Sequence, residues 1–396
     1  MLCPMTNQLT PPQYTLPVII FAQFTGTSLW FAGNAVLPDL QMAYGLPGGA
    51  LGGLTSAVQL GFIAGTLLYA ILMLADRFSP SRVFLFSAML GALFNLGIGV
   101  VTEGYASILA LRFLTGLFLA GIYPVGMKIA ADWYAADLGK ALGYLVGALV
   151  LGTAFPHLLR FTAAEVPWQR VMQGTSFLAV MGGLLIWWLI PDGPYLRSGT
   201  AFKPAAIFAI FRIPDFRAAA LGYFGHMWEL YAFWAFVPVI LLARFPELLP
   251  ASTALVAFGV IGMGALGCIL GGYWSLRTGS AKVAYAMLLI SGLLCLASPL
   301  LFQLPGWAFT ALLFLWGFAV VGDSPQFSTL VARNAPPESR GSALTIVNSI
   351  GFAVTIFSIQ GLTFLSQYWG ISSSLWILFL GPALGLTATR RLFRLA

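Results

Sequence analysis

Long apolar runs recur along the whole chain and constrain its fold more than any other feature. A helix rises about 1.5 Å per residue, so a run of about 20 residues can cross a bilayer core of about 30 Å. Backbone groups inside a bilayer must be paired within the protein, and the strands of a membrane barrel would appear as shorter segments of alternating polarity. The sequence therefore predicts an all-α membrane protein with twelve transmembrane helices. The runs are 14–37, 50–74, 83–101, 107–129, 141–159, 171–190, 216–242, 252–274, 283–302, 307–331, 342–365 and 372–389.

Charge is scarce in this chain, and it is unevenly distributed. Charged residues make up 8% of the sequence, too few to cover the surface of a soluble protein. Arg160, Arg170 and Arg244 lie near loops that follow odd-numbered runs, and Arg112 lies inside a run. The rest of the 19 Lys and Arg residues lie in or beside loops that follow even-numbered runs, or in the C-terminal tail. Because basic loops stay in the cytoplasm, we expect a multi-pass protein of the cell (inner) membrane with both termini cytoplasmic. We attribute the net charge of +7 to this topology rather than to nucleic-acid binding.

Several kinds of site are not predicted. Cys3, Cys268 and Cys295 are scattered, and His157 and His226 are the two histidines of the chain, so we expect no disulfide framework, no metal site and no cofactor. No motif pairs a nucleophile with a base, and we therefore expect no enzymatic activity. The first run has no basic residue before it and no small-residue cleavage site after it, so we expect a transmembrane helix rather than a cleaved signal peptide. We also expect a monomer.

The chain repeats itself at about half its length. The segment 74–83, LADRFSPSRV, returns at 274–283 as WSLRTGSAKV. Glycines and prolines of the fourth run also return in the tenth: Gly116 as Gly317, Gly121 as Gly322 and Pro124 as Pro325. Parallel repeats of this kind are a recurrent design of transporters. We predict an N-terminal six-helix bundle at 1–191, a cytoplasmic linker at 192–215 and a C-terminal six-helix bundle at 216–396.

The turn between the second and third runs carries a family resemblance. Its matching residues are Leu74, Asp76, Arg77 and Arg82, and Arg112 with Gly116 matches a fourth-helix element. With six runs in each half, the chain resembles the major facilitator superfamily (MFS). The resemblance implies two pseudo-symmetric six-helix bundles that work by alternating access, with helices one, four, seven and ten around a central cavity. It also implies that Asp76, Arg77 and Arg82 form a gating latch between the bundles; the alternative is that the basic residues only mark topology. Ala148 follows Gly147 where the drug antiporters of the family have a Gly-Pro pair.

Three ionisable residues inside the runs are candidates for proton coupling. A charged residue at a helix centre costs about 2.5–3.5 kcal/mol, so it needs a partner or a water-filled cavity. His226, Glu229 and Asp323 lie at comparable depths, roughly 12–20 Å from the cytoplasmic helix ends. A carboxyl group in a partly dry cavity can take up a proton on one side and release it on the other, and an imidazole can tune or relay it. We predict that Glu229 and Asp323 carry or gate the proton and that His226 tunes it. The alternative is that Glu229 and His226 merely pair with each other.

Arg112 and a set of polar or aromatic residues are candidates for solute binding. Arg112 could hold a negative substrate group, or it could pair with Asp39 at the outer end of the first run. The other predicted lining residues are Asn34, Gln59, Tyr123, Trp228, Tyr231, Trp234, Gln326 and Asn348. Each could instead make a hydrogen bond between packed helices.

The sequence thus predicts a secondary transporter that moves a small organic solute and couples it to protons. One alternative is proton-driven efflux of drugs or metabolites, and another is a receptor or lipid-handling protein that keeps the fold without transporting. The phrases GHMWELYAFW and GDSPQFSTL resemble bacterial members grouped with nitrate and cyanate porters. Nitrate porters carry arginines in their second and eighth helices, and this chain has none there before the last turn. We therefore predict no nitrate transport.

Overall fold

The computed structural model describes residues 11–100, 104–134, 138–162, 166–195, 210–336 and 340–395, and every regular element in these ranges is helical. Cys3 and residues 196–209 of the predicted linker lie outside the described residues. In chain order the helices are α1 (Thr15–Thr27), α2 (Ala32–Ala35), α3 (Leu37–Tyr44), α4 (Ala50–Ile71), α5 (Leu74–Arg77), α6 (Pro80–Gly97), α7 (Tyr105–Leu119), α8 (Tyr123–Trp133), α9 (Leu138–Thr162), α10 (Gln169–Leu189), α11 (Pro214–Arg244), α12 (Pro250–Thr278), α13 (Ser280–Leu301), α14 (Gly306–Gly322), α15 (Ser324–Asn334), α16 (Arg340–Trp369), a 3-10 helix (Leu375–Phe379) and α17 (Leu380–Leu395).

All twelve predicted runs coincide with helix, which confirms the all-α membrane architecture. Among the described residues, nine helical spans are long and apolar enough to cross a membrane, and two of them, Tyr105–Trp133 and Gly306–Asn334, each join two helices (α7 with α8, and α14 with α15). The first, third and twelfth runs are not among the nine. Their helices are shorter, with 13 residues in α1, 18 in α6 and 16 in α17.

The fourth and tenth runs are broken at equivalent positions. One break separates α7 from α8, and the other separates α14 from α15. Pro124 and Pro325 lie in the first turn after their breaks, where a missing backbone N–H costs no helical hydrogen bond. The repeated prolines therefore restart a helix at the same place in each half.

The repeated glycines allow neighbouring helices to approach closely. A Cβ atom on Gly116 would meet the backbone of Val58, and one on Gly317 would meet the backbone of Val260. These contacts pack α7 against α4 and α14 against α12. The two halves thus use the same glycine at the same helix crossing.

The first half (11–195) and the second half (210–395) meet along two helix pairs, α9 with α12 and α4 with α16. The Gln360 side chain donates a hydrogen bond to the Ser56 hydroxyl at 2.9 Å, between α16 and α4. The Tyr144 and Tyr273 hydroxyls lie 3.3 Å apart, between α9 and α12. We call the side of the molecule where α4 ends the basic side. Tyr144 lies nearer to it, because α9 begins on that side, and Ser56 lies nearer to the opposite side.

Candidate functional site

Two of the predicted ionisable residues form a buried pair in the second half. The His226 imidazole Nδ1 lies 2.7 Å from the Asp323 carboxylate Oδ1, and both side chains have no solvent exposure. His226 lies near the middle of α11, and Asp323 is the residue at the α14–α15 break. The contact has the distance of an ion pair without the alignment of a hydrogen bond, and His226 Nε2 and Asp323 Oδ2 have no partner among the described residues. The pair is therefore a candidate for proton binding.

Glu229 also lies in the second half, in a separate polar pocket. Its carboxylate accepts a hydrogen bond from the Ser291 hydroxyl at 2.5 Å and another from the Cys295 thiol at 3.1 Å. Both partners belong to α13, and Glu229 is fully buried. The alternative in which Glu229 and His226 pair with each other is wrong, because each has a different partner. Glu229 and the His226–Asp323 pair are thus two distinct buried contacts of the second half.

The first half contains the same contacts without the charges. At the repeat offset of 200 to 201, His226 corresponds to Gly26 and Asp323 to Ile122. A Cβ atom on Gly26 would meet the Ile122 side chain, so these two positions are also neighbours.

The Glu229 contact has the same kind of counterpart. Glu229 corresponds to Leu29 and Ser291 to Gly91. A Cβ atom on Gly91 would lie 3.2 Å from the Leu29 side chain. Both acidic contacts of the second half thus replace apolar contacts of the first.

Arg112 is fully buried and forms hydrogen bonds at the break in the first run, between α1 and α2. Its guanidinium donates hydrogen bonds to the carbonyl oxygens of Leu29 (3.1 Å) and Trp30, which lie between α1 and α2. It also donates to Asn95 Oδ1 at 3.3 Å. The alternative in which Arg112 pairs with Asp39 is wrong, because Asp39 accepts from Arg160 at 2.9 Å. The predicted anion-binding role of Arg112 stays a prediction, and its commitment to main-chain oxygens argues against it.

Aromatic rings from both halves meet near the middle of the molecule. Trp30 of the first half stacks on Tyr231 and on Phe352 of the second half, with ring centroids 5.6 Å apart in each case. Phe62 contacts Trp30 at 4.8 Å and Phe352 at 4.5 Å. We call these four residues the aromatic junction. Trp234 lies beside it, 5.3 Å from Tyr231, and its indole N–H has no partner among the described residues.

Polar groups predicted to line the cavity lie next to the junction. The Gln59 amide is fully buried, and neither its oxygen nor its nitrogen has a partner in the described part of the chain. Tyr123 is the first residue of α8 and is partly exposed. Asn348 lies one helical turn from Phe352 on α16 and is partly exposed. These groups form the candidate solute site.

Other predicted lining residues face their own half. Asn34 donates to the Thr55 hydroxyl at 2.7 Å, which joins α2 to α4. The Trp228 indole donates to the Ile377 carbonyl at 3.1 Å, so this ring packs toward the twelfth run and away from the aromatic junction. Gln326 is buried in the first turn of α15.

The predicted latch residues lie on the basic side. The Asp76 carboxylate is 3.1 Å from the Lys128 ammonium, and both belong to the first half. Arg77 and Arg82 are exposed. In this structure Asp76 is thus paired within its own half, and its gating role stays a prediction.

Some residues of the site were not singled out by the sequence. Ser291 and Cys295 hold Glu229, and Asn95 holds Arg112. Asn95 also donates to Ser176 at 2.9 Å, so a polar residue inside the third run was a usable signal. Phe62 and Phe352 gave none, because one phenylalanine among 32 is indistinguishable from lipid-facing ones.

Comparisons with known proteins agree with this architecture. The family model described as Major Facilitator Superfamily matches residues 19–359. Among the relatives, the chain is 26% identical over 284 residues to the 3-(3-hydroxy-phenyl)propionate transporter of Escherichia coli strain K12. The aligned region covers 69% of this chain and 67% of that protein.

Solved structures share the fold at low sequence identity. A bacterial homologue of the human lysosomal transporter Spinster, in an inward-facing and unoccupied conformation, matches with a TM-score of 0.73 at 15% identity, over 95% of this chain and 96% of that chain. The E. coli fucose:proton symporter matches with a TM-score of 0.68 at 18% identity, over 96% and 99% of the two chains.

Proposed function

This chain belongs to the Major Facilitator Superfamily, a family of secondary transporters, and we propose that it moves a small organic solute across the inner membrane in a proton-coupled cycle. The buried His226–Asp323 pair is the observation that carries the coupling proposal. The distribution of basic residues supports an orientation with both termini in the cytoplasm. The working unit is proposed to be a monomer.

The His226–Asp323 pair is suited to bind a proton reversibly. A buried carboxylate and imidazole stabilise each other when they are in contact and share a proton. If they are separated, each remains buried without a partner, which is energetically costly. The pair lies at the α14–α15 break, where the helix is interrupted and its geometry can change. A rearrangement at the break that separates the two groups would release the proton. Glu229 provides a second buried carboxyl group, held by Ser291 and Cys295.

The solute is proposed to bind at the aromatic junction. Stacked rings offer apolar faces, and the buried Gln59 amide and Trp234 N–H offer hydrogen bonds that no described residue accepts or donates. Buried polar groups without partners are costly, and a bound solute would satisfy them. Small organic acids are the first class to test, because the aromatic propionate in the name of the E. coli relative combines a ring with a carboxylate. We propose that Arg112 supports this site through the backbone of Trp30 and does not contact the solute.

The burial pattern supports a conformation open toward the basic side. Trp30, Phe31 and Trp234 have at most 1% exposure, whereas Tyr123 and Asn348 are partly exposed. The Ser56–Gln360 hydrogen bond holds the halves together on the opposite side. In the other state of the cycle this bond would break, and Asp76 would leave Lys128 to latch the two halves.

Transport by purified protein in liposomes tests the proposal. A thermal-shift screen of organic acids first identifies a ligand, because a ligand that binds the folded state stabilises it. Uptake of that ligand is then measured with and without an imposed pH gradient for wild type, Asp323→Asn and Glu229→Gln. We expect gradient-driven accumulation to be lost in the variants while exchange of solute across the membrane persists. Asp39→Asn is the matched control, since Asp39 pairs with Arg160 and takes part in neither acidic contact of the second half.

Each outcome has a defined meaning. If both carboxyl variants respond to the gradient as wild type does, these groups are not the coupling groups. If the wild type moves no organic acid in either direction, the transport proposal fails as well. Growth protection by the expressed gene against a toxic solute would instead favour the efflux alternative.

A further inference from the structure

An apolar groove lies on the membrane-facing surface along the seam between the halves. Its walls come from α1, α9 and α12, and its volume is about 470 Å³. Phe21, Gly147, Ala265 and Ile269 are among the residues that line it. It extends from the middle of the molecule toward the basic side, and both halves contribute walls.

The groove has room for a ligand and opens to lipid. A Cβ atom on Gly147 would meet its nearest neighbour, the Ala265 carbonyl oxygen, at 3.7 Å, an ordinary van der Waals distance. Phe21 and Leu151 on the rim are 37% and 38% exposed. Because this surface faces the bilayer, hydrocarbon chains are the solvent that fills it.

One end of the groove is polar. Tyr144 lines the groove, and its hydroxyl lies 3.3 Å from that of Tyr273. Arg277 follows Tyr273 by one helical turn on α12 and is exposed. Tyrosine and arginine are typical of the level at which lipid headgroups lie. The groove is therefore apolar along its length, with the Tyr144 hydroxyl at one end and an exposed cation one helical turn beyond the neighbouring Tyr273.

We propose that the groove binds one anionic phospholipid from the leaflet on the basic side, with an acyl chain between α1, α9 and α12. The lipid phosphate lies at the Tyr144 end of the groove, where the tyrosine hydroxyls donate hydrogen bonds and Arg277 supplies a positive charge. A chain that touches both halves at once fits one arrangement of the seam better than another. Bound lipid therefore stabilises the arrangement of α9 against α12 that this structure has.

Native mass spectrometry of the purified full chain tests the site without reference to transport. Protein in detergent is mixed with phosphatidylglycerol or phosphatidylcholine, and the retained lipid is counted. Gly147→Phe fills the groove and should abolish the tightest-bound lipid. The matched control is Leu184→Phe, in another apolar surface hollow of about 320 Å³ that belongs to α10 alone, and it should retain lipid as wild type does. Arg277→Gln should lower the preference for phosphatidylglycerol about fivefold.

The results separate a site from ordinary surface lipid. If Gly147→Phe and Leu184→Phe retain equal amounts of lipid, or if phosphatidylcholine binds wild type as tightly as phosphatidylglycerol does, the proposal is overturned. A thermal unfolding curve for each variant shows whether it is folded. If Gly147→Phe does not fold, Arg277→Gln still tests the proposal, because Arg277 is exposed and its replacement should not affect folding. Loss of lipid binding with normal transport, or the reverse, distinguishes this proposal from the transport proposal.

Discussion

Replacing the buried His226–Asp323 pair by apolar residues should keep the protein folded and remove its response to a pH gradient. The double variant His226→Leu/Asp323→Ile gives the second half an apolar contact like the one that Gly26 and Ile122 make in the first. The single variants leave one polar group in a fully buried position without its partner. Stability and coupling are thus expected to separate: the single variants lose both, and the double variant loses coupling alone.

The magnitudes follow from the burial of the pair. Removing one partner of a buried ion pair costs about 3–5 kcal/mol, because the other remains buried and uncompensated. Replacing both partners by apolar residues of similar volume is often neutral, or stabilising by about 1–4 kcal/mol. Leucine approximates the volume of histidine, and isoleucine is the residue that the first half uses at the matching position. We therefore expect the double variant to be more stable than either single variant by at least about 3 kcal/mol.

The assay combines unfolding with transport. Unfolding of wild type, both single variants and the double variant is followed in detergent, and the four free energies form a double-mutant cycle. The folded variants are then placed in liposomes, and uptake of an identified solute is compared with and without a pH gradient. A cycle in which the two substitutions are additive would show that the residues do not interact. A stable double variant that still accumulates solute in response to the gradient would refute the assignment of the proton to this pair.

Three further predictions concern the packing around the site. Arg112→Lys should lower stability by about 1–3 kcal/mol, because one ammonium cannot reach all the acceptors that the guanidinium holds; a variant with normal stability but weaker solute binding would favour an anion-binding role instead. Cysteines at positions Ser56 and Gln360, once cross-linked, should block transport until they are reduced, and continued uptake in the oxidised protein would contradict a need for this seam to open. Gly116→Ala should destabilise the first half by roughly 1–3 kcal/mol, since its Cβ would meet helix backbone. Gly143→Ala should be tolerated because no atom of the described neighbours lies within 4 Å of its Cβ position, and thermal unfolding of the two variants checks this difference.

Much of the fold could be predicted because a bilayer leaves few alternatives. Each spanning helix must be apolar over about 20 residues, and the repeat of Pro124 as Pro325 indicated that the chain is built from two similar halves. The break in the first run was not predicted. The run carries small and polar residues where it breaks, at 25–28. The break also involves Arg112, a residue about 80 positions later, which donates hydrogen bonds to the carbonyl oxygens of Leu29 and Trp30. A long-range hydrogen bond of this kind leaves no periodic signal in the run it interrupts.

The ionisable residues of the candidate site could be predicted from the sequence, but their partners could not. His226, Glu229 and Asp323 were conspicuous because ionisable groups in a membrane run are costly, whatever surrounds them. Their partners were not, since helix rotation decides which side chains meet. Trp228 and Tyr231 are three residues apart on α11, yet Trp228 bonds to the Ile377 carbonyl and Tyr231 stacks on Trp30. Depth along a helix can be counted from the sequence, whereas the face on which a side chain lies requires the packed neighbours.

The two halves contain different kinds of buried charged group. The first half has a permanent cation, Arg112, which is committed to main-chain oxygens and to Asn95. At the repeat offset of 200, Asn95 corresponds to Cys295, which donates to Glu229 in the second half. A guanidinium stays charged throughout a transport cycle. Its hydrogen bonds can therefore fix the backbone conformation, but they do not change with protonation. Carboxyl groups and imidazole change charge. We therefore infer that the first half holds the aromatic junction in a fixed shape, and that the second half, where acidic contacts replaced apolar ones, registers the proton.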